Sequence, residues 1–148
     1  MGVVSDIIRQ EKDDTLSFGN YLSHDKLKKT LGGSKPGEDT YKCKTHNEIT
    51  RFERNDKMLL ETVPGSSIHN FREAGGCVSF DAEGLGSTQF TLELSPNTDY
   101  TIFMDGEPAG STRSNQFGKL SFGRELGSMS IAIAVEKSQE IAKTTHNI

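Results

Sequence analysis

Tryptophan is absent from the 148 residues, and only two cysteines occur, Cys43 and Cys77. Neither sits in a CxxC or near a Cys/His cluster, which excludes the common structural zinc modules. Like charges never run to five in a row. With 21 acidic and 17 basic residues mixed along the chain, net charge is −4. A basic arm or stripe of the kind that binds nucleic acid is therefore missing. No stretch approaches the roughly 18 apolar residues of a membrane span. The start, "MGVVSDIIRQEKDD", lacks a basic n-region and a continuous apolar h-region, so no signal peptide is expected. A cytoplasmic protein with reduced thiols follows, with non-classical export left open. Carbohydrate platforms use exposed rings, and three tyrosines without tryptophan supply few of them.

What is present reads as β-structure. Short runs rich in Phe, Tyr, Val, Ile and Thr alternate with Gly, Asn, Asp and Pro. Expected strands are 15–22, a long one over 40–54, 58–63, 67–71, 77–83, 89–94, 100–105, 118–126 and 129–137. "DG" at 105 and 106 is the strongest hairpin signal. Val78, Phe80 and Ala82 share a face, as do Phe90, Leu92 and Leu94, and Ile131, Ile133 and Val135. One face in and one face out predicts an antiparallel β-sandwich or a partly open barrel. "LSFG" occurs at 16–19 and again at 120–123, and reads as two similar strands ending at a bend. Cys43 and Cys77 fall among apolar neighbours and are expected to pack as small core residues.

Before this β-domain (14–137), Val3, Val4, Ile7 and Ile8 are spaced for one helical face, which predicts a short helical segment over 1–13. Residues 23–39 read as a loop or a short frayed helix. Residues 138–148 form a polar tail. The hydrophobic content of 32% implies a modest core.

Chemistry concentrates in "KTHNEITRFERNDKMLLETV", 44–63. If 40–54 is one strand, His46, Glu48 and Thr50 point to one face. Side chains two apart stand about 6.5–7 Å from each other. His69 lies one hairpin later. Such a face can carry an acid/base pair or metal ligands. The simpler reading is a solvated face with cross-strand charge pairs. P-loop, GxGxxG and GxSxG signatures are absent. The four histidines (His24, His46, His69, His146) lack metal-ligand spacing. No catalytic, cofactor-binding or metal residue is assigned, and no cofactor is expected.

The stretches "DTLSFGNYL", "YKCKTHNEITRFERNDKMLLETVPGSSIHNF", "VSFDAEG", "TLELSPNTDYTIFMDGE" and "GKLSF" resemble a family of small bacterial proteins. Its members, known mainly from anaerobic spore formers, are often labelled endosialidase or endosialidase-like. The label implies cleavage of polysialic acid, a glycan partner and a glycoside hydrolase-like activity. Sialidases are propellers with an arginine triad, a nucleophilic tyrosine and S-x-D-x-G-x-T-W boxes. This chain has no such box, so no catalytic residue carries over.

Three functions are expected from the sequence. The first is a self-associating structural or interaction protein, a homo-oligomer or filament joined by strand edges and the N-terminal helix. The second is the carbohydrate-active or carbohydrate-binding protein that the resemblance implies, with His46, Glu48 and His69 as its candidate face. The third is a small-ligand binder in a barrel mouth.

Overall fold

A computed structural model describes residues 2–138. Among them are thirteen strands and no helix. They are β1 (Ile8–Gln10), β2 (Leu16–Phe18), β3 (Leu27–Gly32), β4 (Thr40–Thr45), β5 (Thr50–Arg54), β6 (Lys57–Val63) and β7 (Ser66–Ala74). Then follow β8 (Cys77–Gly84), β9 (Gly86–Glu93), β10 (Asp99–Met104), β11 (Glu107–Arg113), β12 (Lys119–Leu126) and β13 (Ile131–Lys137). No helix is long and apolar enough to cross a membrane.

Two antiparallel sheets result. One has seven strands in the order β1-β2-β7-β8-β13-β10-β11. The other has six, in the order β12-β9-β6-β5-β4-β3. Their inner faces meet in one core. The alternation predicted it. Val78, Phe80, Ala82, Phe90, Leu92, Ile133 and Val135 are buried, while Leu94 and Ile131 pack at its margin.

A row of rings threads this core. Tyr41 stacks on Phe52 at 5.7 Å between centroids, and Phe52 stacks on Phe18 at 4.0 Å. Phe71 meets Phe52 edge-on and then stacks on Phe80, which leans on Phe90. Phe90 finally stacks on Phe122 at 5.0 Å, on the outermost strand of the six-stranded sheet. Phe18, Phe71 and Phe80 come from one sheet, Phe52 and Phe90 from the other. The row therefore stitches the two sheets together.

Turn chemistry behaves as the sequence implies. Asp105 and Gly106 both take positive φ between β10 and β11, as do Asn55 and Asp56 between β5 and β6. That is the backbone a two-residue hairpin needs.

Several expectations require correction. The N-terminal helix does not form. Ile7 donates to the Val4 carbonyl in a turn and takes φ 73°, and β1 then pairs with β2. The i, i+1, i+4, i+5 spacing buries Val4 and Ile8, with Ile8 in the edge strand β1 and Val4 in the segment before it. β-branched residues favour that outcome. Residues 23–39 contain a strand, β3, which pairs with β4 over six residues. The long strand over 40–54 is two strands, with a turn at 46–49. The strand at 15–22 shrinks to β2. Of the two "LSFG" copies, only the first ends at a bend; the second runs through the middle of β12. Cys43 is fully buried, and Cys77 is only half-buried at the start of β8; both are free thiols. Apart from Ser138, the tail 138–148, with His146, lies outside the described residues.

Candidate functional site

The proposed His46–Glu48–His69 face is not assembled. His46 and Glu48 belong to the turn between β4 and β5, where the His46 amide donates to the Ile49 carbonyl at 3.0 Å. Glu48 is exposed, whereas Thr50 turns inward. His69 sits on the other sheet, in β7 opposite Asp81. The remaining polar residues of that stretch follow the simpler reading. Arg51 donates to Glu53 and to Glu61, at 2.7 Å each, on the outer face of the six-stranded sheet. The Arg51 guanidinium holds the Glu53 carboxyl below its usual value, and Lys42 adds to the effect. Arg51–Glu61 is a cross-strand charge pair and Arg51–Glu53 runs along β5, both on the outer face of the sheet.

Beneath the β4–β5 turn lies a network of buried hydroxyls. The Thr50 hydroxyl contacts the Thr45 hydroxyl at 2.7 Å and the backbone of Ser66 at 2.9 and 3.0 Å. The Ser66 and Thr62 hydroxyls are 2.6 Å apart. All four residues are buried. Their bonds tie the turn to the corner between β6 and β7.

A second polar cluster lies under the N-terminal segment. His69 Nε2 is 2.7 Å from the Gly2 carbonyl and 3.4 Å from Glu83 Oε1. A carbonyl only accepts, so Nε2 carries the hydrogen. Tyr21 donates its hydroxyl to the other Glu83 oxygen at 2.9 Å. Tyr21, His69 and Glu83 are all buried. Glu83 Oε1 has the His69 ring beside it, yet no hydrogen-bond partner of its own among the described residues. Burial and then the Glu83 carboxylate push the Tyr21 hydroxyl up to about 12. Burial likewise pushes the Cys43 thiol to about 12.

These shifts carry a sign. Each group holds its proton more tightly folded than unfolded, so its contribution is complete below the unfolded pKa and is lost as pH rises through the folded one. Stability is therefore expected to fall between pH ~9 and ~12. Tyr21→Phe leaves Glu83 short of a donor and should cost about 1–3 kcal/mol at neutral pH. It should also flatten the alkaline decline. Denaturant melts across that pH range check both outcomes.

Beside this cluster the outer face of the seven-stranded sheet holds a shallow cleft of about 630 Å³. Ser79, Ala132 and Ala134 floor it, with Arg72, Asp81 and Phe103 around them. Burial raises the Asp81 pKa, partly offset by His69. Among the described residues no group of His, Cys, Asp and Glu is arranged to hold a metal ion.

The sheet edges form the remaining feature. Among the described residues they are β1 and β11 on one sheet, β12 and β3 on the other. β1 has only three residues. β11 carries Pro108 and Gly110, and its register with β10 shifts between Ile102 and Phe103. β3 exposes Lys28 and Lys29, with Lys44 directly opposite Lys28. Short length, proline, irregular register and lysine are ways in which proteins block edge pairing. β12 differs. It runs eight residues in unbroken register with β9, has no proline, and is uncharged over residues 120–123. Strand order alone decides which strand is an edge, so nothing local in "GKLSFGREL" could have revealed it. Comparison with protein-family models, with curated proteins and with solved structures finds no match to this chain.

Proposed function

We propose that this protein works by assembly, as a self-associating β-sandwich, and that β12 is the edge through which copies join. The carrying observation is the contrast among the four edges. β1 is short, β11 is interrupted by proline and a register shift, and β3 sets Lys28 against Lys44; β12, with its charges Lys119, Arg124 and Glu125 near its two ends, presents the longest regular row of backbone donors and acceptors. Strand addition to such an edge supplies main-chain hydrogen bonds without further machinery. The N-terminal segment has no part in this reading, because Val4 and Ile8 are spent in the chain's own core. A glycan-binding reading keeps its basis in the resemblance, but of its candidate residues His46 and Glu48 lie in the β4–β5 turn and His69 lies on the other sheet.

Gly123→Lys tests the proposal. Gly123 has ordinary backbone geometry, and a Cβ there would meet Gln89 Oε1 at 3.6 Å, an ordinary contact. The variant should fold as well as the parent. A lysine in the middle of the edge should leave it a 16.3 kDa monomer, while the parent sediments as an assembly at the same concentration. An unchanged assembly in the variant would remove β12 from the account.

A further inference from the structure

Three features of β12 favour one partner, and the first two select one register. The ring row that crosses the core ends at Phe122, which is only half-buried on this edge. Lys119 and Glu125 lie three residues to either side of Phe122 and face outward, opposite in charge. The two most exposed large apolar side chains of the described residues flank the same strand, Phe117 (67% exposed) before it and Met129 (84%) after it. Each feature alone is ordinary. Lys119 and Glu125 are related by a twofold axis through Phe122, whereas Phe117 lies five residues before it and Met129 seven after it.

We infer that the partner of β12 is the β12 of a second copy, antiparallel, with Phe122 opposite Phe122. The inference rests on β12 being the assembly edge. In this register Lys119 of each copy faces Glu125 of the other, and Leu120 faces Arg124. Opposite charges directly across an antiparallel pair are favourable, and like charges are not. The two Phe122 rings cover each other, so the ring row continues from one core into the next. In this register Phe117 of one copy falls opposite Gly127 of the other, two residues short of Met129. The surface patch is used by both copies, as a twofold interface requires. The two six-stranded sheets become one continuous sheet. A register shifted to place Gly123 on the axis sets Phe117 directly against Met129, but it also sets Phe122 against Arg124 and Ser121 against Glu125, and loses the charge match and the ring pairing.

A charge-swap cycle reads the register. Glu125→Lys sets two lysine pairs against each other across the axis and should weaken the dimer about tenfold. Adding Lys119→Glu to the same chain should restore the parental dissociation constant to within about threefold. Circular dichroism confirms that both variants fold. The outcomes separate. A parental monomer sinks both the assembly and the register. A dimer abolished by Gly123→Lys but not rescued by the second charge change keeps β12 and overturns the Phe122 axis. A parental monomer whose outward-facing β12 amides, those not bonded to β9, are protected from hydrogen exchange would mean that another part of the same chain covers the edge, and would overturn the pairing.

Discussion

Phe52→Ala will cost the protein about 3–5 kcal/mol, the cost of emptying a large aromatic site in a packed core. Phe52 is fully buried and touches rings on three sides: Phe18 at 4.0 Å, Phe71 at 5.3 Å and Tyr41 at 5.7 Å. The contacts to Phe18 and Phe71 join the two sheets. Domains of this kind are stable by only about 5–15 kcal/mol, so the loss takes a large share. Chemical denaturation should show a lower midpoint with an unchanged slope, because a single core unfolds in either protein. Phe52→Leu should cost clearly less, since it keeps most of the volume. Equal losses for the two substitutions would mean that the rings do not join the sheets as described.

Gly65→Ala will be nearly as damaging, though it adds one methyl group. A Cβ at position 65 would stand 1.9 Å from the His46 carbonyl oxygen and 3.1 Å from its carbon. Both are backbone atoms of the β4–β5 turn, so no side chain can swing aside. The turn must part from the β6–β7 corner. That movement breaks the bond from the Gly65 amide to the Asn47 carbonyl and strains the buried Thr45, Thr50, Thr62 and Ser66 hydroxyls. Overpacking together with unsatisfied buried groups puts the cost at about 3 kcal/mol or more. Gly127→Ala, with nothing within 4 Å of its Cβ, is the matched control and should stay within about 0.5 kcal/mol of the parent. A thermal melt of each variant decides the comparison.

Strand alternation was legible because its cause is local. Val78, Phe80 and Ala82 point inward wherever the strand goes, since the pleat has period two. The "DG" turn was legible for the same reason. The N-terminus was not, because Val3, Val4, Ile7 and Ile8 suit one helical face equally well. Their choice was made by β2 and by the close approach of Gly19, whose amide donates to Ile7 and whose carbonyl accepts from Val4. β3 escaped notice because "LKKTLG" is mostly exposed, so no buried face imposed a pattern. The break at 46–49 hid within a polar stretch that suits strand and turn alike. Tyr21 and Glu83 meet across 62 positions, a contact that no local signal announces. The place of β12 at an edge is the extreme case. "GKLSFGREL" reads as a strand from its own residues, but its outermost place depends on the order of all six strands in its sheet.

Light scattering on the unmodified chain, across a concentration series, tests the central claim most directly. Self-association through β12 predicts a mass that is twice 16.3 kDa at high concentration and falls toward 16.3 kDa on dilution. A mass fixed at 16.3 kDa throughout, with the β12 amides that do not bond to β9 exchanging freely, would contradict it.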